Sequence, residues 1–289
     1  MDKFLITGAT GNVGLDTIRL LLDNKERDYQ VVAAVRDTEH ARSMDELQGA
    51  QLVEFDFDDP GTFAPALQGV TKLLLIRPNL ISDVSKHILP FLDAVEKSSV
   101  KHLVFVSIVG AERNRVFANH RVETHLKKMN IPHTIVRPSL YMQNLVTLHF
   151  HEIKNHDHIY IPAGSGMVNY VDARDVAKVV VKILTNPGHE GKEYEITGQE
   201  PMDFYKIASL FTKELGREIK YARPLTIKFI RQKMYEKKGM PFIVTLSLLY
   251  SAARSGKMAH DSQVFKEMTG EEPRKLADFI RQNRNVWEK

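Results

Sequence analysis

The residues that most restrict what this chain can become are Gly8, Gly11 and Gly14, spaced three apart directly after the apolar run Phe4-Leu5-Ile6. A strand that passes through such a turn into a helix gathers backbone N–H groups at the helix N-terminus, where a pyrophosphate can sit. Gly8 allows a tight exit from the strand. Gly11 lets the backbone approach a phosphate that a Cβ would block, and Gly14 lets the helix lie close on the strand. Thr10, Asn12 and Val13 fill out the turn and start the helix. The spacing predicts a dinucleotide-binding βαβ unit at the start of the chain.

Short apolar, β-branched runs then alternate with helical patterns. Strands are expected at 3–7, 30–36, 51–55, 73–76, 103–107 and 133–136, and helices at 12–24, 84–97 and 120–129. Alternation at this spacing implies an α/β fold, a Rossmann-type doubly wound parallel sheet, and the near-continuous apolar strands fit coverage on both faces. After Arg137-Pro138 the pattern changes. Residues 141–164 are rich in His and Asn without a clear period, 172–184 reads as a helix, and 193–197 as a short strand. Asp203 suits a helix N-cap and Gly216 its end near Leu215. The expected organisation is an NAD(P)-binding domain over 1–140, rejoined by 165–200, with 141–164 and 201–289 forming a smaller, mostly helical lobe that lids the cofactor cleft.

Composition narrows the chemistry. The chain has 289 residues, 43% apolar and 26% charged, enough for a sizeable core. It has no cysteine, which excludes disulfides, thiolate nucleophiles and Cys-based zinc sites. That fits a reducing compartment, and the first strand begins too near Met1 for a signal peptide, so a cytoplasmic location is expected. The apolar stretch from Pro241 to Ala253 is too short to span a bilayer and reads as a buried helix or lid, so no membrane association is expected. Net charge is +4, and the one basic concentration, Lys228 to Lys238, places Phe229, Ile230, Met234 and Tyr235 at helical spacing. It reads as a solvated helix face, and nucleic acid is not an expected partner.

Several residues at expected strand ends carry chemistry. Arg36 stands where an acidic residue would hold the ribose hydroxyls of NAD; a cation there suits a 2′-phosphate, so NADP(H) is favoured over NAD(H). The alternative is an exposed Arg paired with Asp37. Asp56-Phe57 would lie beside the adenine, the carboxylate accepting from the exocyclic amine and the ring packing on the base, unless the run only caps the following helix start. Ile76-Arg77-Pro78 and Ser107 stand at strand ends on the nicotinamide side, where Arg77 would meet cofactor phosphates or an anionic substrate group, unless it is only a surface loop residue. Pro138 follows the last of these strands, with Tyr141, which could line the acceptor pocket or pack in the core, and Asn144 beyond it. His120 is the candidate weak acid. His149, His151, His156 and His158 could converge on a metal only in a hairpin, and they read as surface histidines of a polar segment.

Taken together, Thr7-Gly-Ala-Thr-Gly-Asn-Val-Gly14, Ala34-Val-Arg36, Phe55-Asp-Phe-Asp-Asp-Pro60, His120-Arg-Val-Glu123, Ile131-Pro-His-Thr-Ile-Val-Arg-Pro138, Asp172-Ala-Arg-Asp-Val-Ala177 and Thr269-Gly-Glu-Glu-Pro273 resemble the NmrA-like atypical short-chain dehydrogenases. The resemblance spans nearly the whole chain. It implies either an NADPH-dependent reductase of quinones or triphenylmethane dyes, or a non-catalytic NADP(H)-sensing regulator with a protein partner. Ordinary short-chain dehydrogenases and sugar-nucleotide epimerases use Tyr-x-x-x-Lys to move the alcohol proton. No Tyr here has Lys four residues on. Registered on the family, the Tyr position falls at Arg115 and the Lys position at Asn119. The missing pair argues against alcohol–ketone and epimerase chemistry. It leaves hydride transfer to a small conjugated acceptor, with His120 and Tyr141 as candidate catalytic groups.

Overall fold

The apolar, β-branched runs form strands and the 3.6-period segments form helices between them. In chain order, β1 (Asp2–Ile6) leads through the glycine turn into α1 (Asn12–Asp23), β2 (Tyr29–Val35), α2 (Thr38–Arg42), β3 (Gln51–Glu54), α3 (Phe63–Leu67) and β4 (Lys72–Ile76). There follow α4 (Val84–His87), α5 (Leu89–Glu96), β5 (His102–Val106), α6 (Ala118–Leu126) and β6 (His133–Pro138). The chain continues through β7 (Leu140–Tyr141), α7 (Asn144–Thr147), α8 (Phe150–His156), β8 (His158–Ile159), β9 (Met167–Val168) and β10 (Tyr170–Val171) to α9 (Ala173–Thr185) and β11 (Glu193–Ile196). It ends with β12 (Met202–Asp203), α10 (Phe204–Leu215), β13 (Lys220–Tyr221), α11 (Thr226–Tyr235), α12 (Met240–Arg254), α13 (Val264–Thr269), α14 (Leu276–Gln282) and α15 (Arg284–Trp287). This computed structural model describes residues 1–78, 81, 83–236, 239–256 and 258–289.

Seven strands make one sheet in the order β11-β6-β5-β4-β1-β2-β3. β1 pairs in parallel with both β2 and β4, and β2–β3, β4–β5 and β5–β6 are parallel as well. The order therefore reverses between β1 and β4. In a doubly wound sheet the ligand crevice opens outside the carboxyl ends of the strands at that reversal. The fold is a Rossmann-type sheet followed by a helical C-terminal region.

The chain divides into two compact units, residues 1–138 with 173–195, and residues 139–172 with 196–289. In the first, Phe55, Phe57, Phe63 and Phe91 form an aromatic cluster with centroid separations of 4.7 to 5.8 Å, and α9 packs along α1. In the second, Phe204, Phe211, Phe229, Tyr250 and Trp287 are buried in a separate core. Asp203 caps α10 by accepting from Lys206 N–H at 2.7 Å, and Gly216 ends it in the left-handed region.

Four expectations change. The helix expected over 84–97 is two helices, because Pro90 has no N–H to continue the ladder and α5 restarts around it. Residues 141–164 hold the short helices α7 and α8. The face expected of α11 holds only in part: Phe229 is buried and Ile230 half-buried, but Lys233 is buried as well, bonded to Glu152 at 2.6 Å and Glu236 at 2.9 Å, while Met234 and Tyr235 are exposed. A buried carboxylate draws Lys233 inward at the expense of two apolar neighbours. Lys237 and Lys238, at the end of that basic run, lie outside the described residues. His149 is not a surface histidine: it is fully buried, with Nε2 2.6 Å from the Tyr250 hydroxyl, and burial pushes its pKa down to about 4. In α12 the buried positions Ile243, Leu246, Tyr250 and Ala253 follow the helical period, while Val244 faces out.

Candidate dinucleotide site at the carboxyl edge of the sheet

The glycine turn is built as a close-approach site. Gly8 has φ +62°, and a Cβ there would lie 3.0 Å from Cβ of Ile76. A Cβ on Gly14 would lie 2.2 Å from the Gly8 carbonyl oxygen, so only glycine lets α1 start this near β1. Gly11 caps α1 in extended conformation, and its own N–H donates to Gly8 O at 2.9 Å. The next three N–H groups, of Asn12, Val13 and Gly14, have no acceptor among the described residues, and no acidic residue stands in the first helical turn. Thr10, Gly11 and Asn12 are exposed and Val13 and Gly14 buried. Unspent donors at the positive end of a helix fit the pyrophosphate of a dinucleotide.

The neighbouring strand ends present a mixed set. Arg36, just past β2, is exposed and has no hydrogen bond or ion pair among the described residues. Asp37 is otherwise engaged, capping α2 by accepting from His40 N–H at 2.9 Å. Asp56 is half-buried; one carboxylate oxygen accepts from Asp58 N–H at 3.0 Å, and Asp59 rather than Asp56 caps the following turn. Phe57 points inward, 6% exposed and edge-on to Phe55 and Phe91.

At β4, β5 and β6 one helix face gathers the strand ends. Asn119 and Glu123, four apart on α6, are both buried, so they share one side of that helix. Asn119 Oδ1 accepts from Nη2 of Arg77 at 2.9 Å. Glu123 accepts from the buried Ser107 hydroxyl at 2.5 Å and from Arg137 at 3.0 and 2.6 Å. Arg137 also meets Glu193 at 2.8 Å and Glu112 at 3.5 Å. Burial alone would lower the Arg137 pKa; the bonds to Glu123 and then Glu193 outweigh it and raise the value. Sequence reasoning assigned no role to Glu123 or Arg137. The signal for Glu123 was its four-residue spacing from Asn119, which places both acceptors on the inward face of α6.

His120 Nδ1 lies 2.8 Å from the Ala111 carbonyl oxygen, which leaves Nε2 as the free ring nitrogen. Arg115 is exposed. Pro138 is buried and its carbonyl accepts from Val109 N–H at 3.0 Å.

In the other unit Tyr141 is half-buried in β7, paired with Val171, and its hydroxyl has no partner among the described residues. Burial raises its pKa, so it stays protonated at neutral pH. Asn144 begins α7. His151 and His156 are exposed and His158 half-buried, and among the described residues no cluster of three His, Cys, Asp or Glu can hold a metal. Among the described residues no helix is long and apolar enough to cross a membrane.

The model of the NmrA-like family matches residues 1–283. Among curated proteins, the chain is 30% identical over 283 residues to an NAD(P)H azoreductase of Xenophilus azovorans, covering 96% of each. It is 27% identical over 286 residues to quinone oxidoreductase 2 of Escherichia coli (strain K12), covering 97% of this chain and 98% of that one. The crystal structure of Citrobacter sp. triphenylmethane reductase complexed with NADP(H) superposes with a TM-score of 0.83 at 25% identity, over 97% of this chain and 99% of that chain. A glycine turn with unspent N–H groups, a sheet reversed beside it and a match over almost the full length converge: the chain belongs to the NmrA-like family.

Proposed function

We propose that this protein is an NADPH-dependent reductase that passes hydride to a quinone-like or dye-like conjugated acceptor. The observation that carries the reading is the pairing of an intact glycine turn with Asn119, buried and neutral, where alcohol chemistry needs a lysine. Named activities of the similar proteins, an azoreductase and a quinone oxidoreductase, support the same class.

In this reading the N–H groups of Asn12, Val13 and Gly14 receive the pyrophosphate, with Gly8, Thr10 and Gly11 shaping its cradle. Arg36, exposed and without a partner, takes the 2′-phosphate and sets the preference for NADP(H) over NAD(H). The second carboxylate oxygen of Asp56 accepts from the adenine amine, and Phe57 anchors that loop from inside. Ile76, Pro78, Ser107 and Pro138 form the backbone frame on the nicotinamide side. The cofactor, when bound, supplies the hydride. Electron-poor acceptors take it readily, and the reduced product needs only a proton from water or a weak acid. His120, through its free Nε2, and the neutral Tyr141 hydroxyl are the proposed weak acids.

Purified protein supplied with NADPH is expected to consume it when quinones, azo dyes or triphenylmethane dyes are added. Absence of turnover across all three classes, with NADPH binding confirmed by fluorescence, would overturn the reading in favour of a non-catalytic NADP(H) sensor.

A further inference from the structure

Arg77 stands at the sheet reversal. Ile76, the last residue of β4, is the nearest neighbour of Gly8, and Arg77 follows it directly. Its guanidinium is held in place. Nη1 donates to the carbonyl oxygens of Pro78 at 2.9 Å and Ile81 at 2.5 Å, and Nη2 donates to Asn119 Oδ1 at 2.9 Å. A guanidinium has five N–H donors, so two remain: one on Nη2 and the Nε–H. Nε is buried and has no partner.

None of the three acceptors is charged. Arg77 therefore differs from Arg137, which the same helix closes with Glu123 and which Glu193 and Glu112 surround. Burial pulls the Arg77 pKa down to about 10, with no opposing carboxylate. The group stays protonated at neutral pH, half-buried and without a counterion among the described residues. A cation in that state is costly unless an anion completes it, and a guanidinium with two unspent donors matches the two oxygens of a carboxylate, sulfonate or phosphate.

A phosphate could come from the cofactor, but other groups already serve that end. The first turn of α1 offers three N–H groups for the pyrophosphate, and Arg36 is free for the 2′-phosphate. Arg77 lies on the opposite side of the reversal from Arg36, since β2 and β4 flank β1. We propose that Arg77, positioned by Asn119, binds an anionic substituent of the hydride acceptor, so that this protein selects quinone-like or dye-like acceptors bearing a sulfonate or carboxylate. The proposal rests on the reductase reading above for what the bound molecule is used for, but not for whether it binds.

The test separates the two. Protein saturated with NADP+ is titrated calorimetrically with naphthalene-2-sulfonate and with its neutral sulfonamide, neither of which accepts hydride. The sulfonate is expected to bind about tenfold or more tightly than the sulfonamide, the worth of a charge-assisted hydrogen bond. Arg77→Met should erase the difference. Asn119→Asp should erase it as well, by giving Arg77 an internal carboxylate, and it keeps the arginine in place if Arg77→Met folds poorly. NADPH affinity should stay within about twofold in both variants. In steady-state assays, kcat/KM should favour a sulfonated naphthoquinone over its parent in the wild type only. Equal binding of sulfonate and sulfonamide by the wild type would overturn the proposal, as would discrimination retained in Arg77→Met. A loss of NADPH affinity in Arg77→Met would also overturn it, by making Arg77 a cofactor-phosphate ligand. Sulfonate selectivity without turnover of any quinone or dye would leave the anion site standing and overturn the reductase reading alone.

Discussion

The carboxyl edge of the sheet carries arginine past β2, past β4 and in β6, and two parts of that edge treat the charge in opposite ways. On the β6 side, Arg137 is buried and surrounded by carboxylates, with Glu123 also tying in the Ser107 hydroxyl. Past β2 and β4, the two strands that flank β1, Arg36 has no partner among the described residues and Arg77 has only carbonyl and amide oxygens. The same side chain is a structural fastener where carboxylates cancel its charge, and keeps unspent donors where they do not. What decides the difference is the residue that faces it. On α6 that is one residue in each case: a carboxylate at Glu123 for Arg137, an amide at Asn119 for Arg77.

The largest expected effect comes from opening the closed side. Glu123→Ala leaves Arg137 buried with only its flanking carboxylates and takes the acceptor from Ser107, which should cost about 3 kcal/mol or more. Urea denaturation followed by circular dichroism measures it. A loss under about 1 kcal/mol would mean that Glu193 and Glu112 hold Arg137 by themselves, and the contrast between the two sides would weaken.

Next in size is a pH effect confined to the closed side of this unit. His102 on β5 is buried, with Nε2 2.8 Å from Thr134 Oγ1 on β6, and burial lowers its pKa from 6.5 to about 4. A depressed folded-state value means that the unfolded chain takes up the proton first as pH falls. The contribution is therefore full above 6.5 and is lost as pH falls toward 4, by roughly 3 kcal/mol at most. His149 in the other unit shifts in the same direction, so the wild type carries both losses. Stability measured at pH 7 and pH 5 should converge for His102→Gln more than for the wild type. An unchanged pH 7 to pH 5 difference would remove His102 as a source of the acid sensitivity.

The smallest effect belongs to the open side. Arg36 is exposed, so its substitution should leave stability almost unaltered and shift cofactor choice instead. Arg36→Asp is expected to weaken NADPH binding about tenfold relative to NADH, consistent with one charge-assisted contact. Equal losses for the two cofactors, measured by titration calorimetry, would remove Arg36 from the 2′-phosphate site.

How much of this was legible in the sequence depends on the range of the interaction. The glycine turn reads directly, because each glycine answers a local backbone need: Gly8 a left-handed φ, Gly14 a 2.2 Å approach that a Cβ would occupy. The strands read well for the same reason, being short apolar runs covered on both faces. The break at Pro90 was present in the sequence as a missing donor, and the helical period on either side concealed it. Lys233 and His149 went the other way from expectation because their environment is supplied from elsewhere, by Glu152 and by Tyr250. Asn119 was visible only as the absence of a lysine. That it holds Arg77, 42 positions earlier, is a tertiary fact no local pattern encodes.

The division of the chain also bears on how the protein is made. The first unit is not finished where it is first left, at Pro138: it needs Ala173–Glu195 as well. During synthesis from the N-terminus, β1 to β6 emerge while α1 still lacks α9 to pack along it and β6 has an open edge where β11 will pair. Unpaired strand edges and bare helix flanks are where nascent chains aggregate or recruit chaperones. A nascent chain that has emerged only as far as Pro138 would present the glycine turn on a sheet that cannot yet close, whereas one that has emerged beyond residue 196 would carry a unit with all its strands.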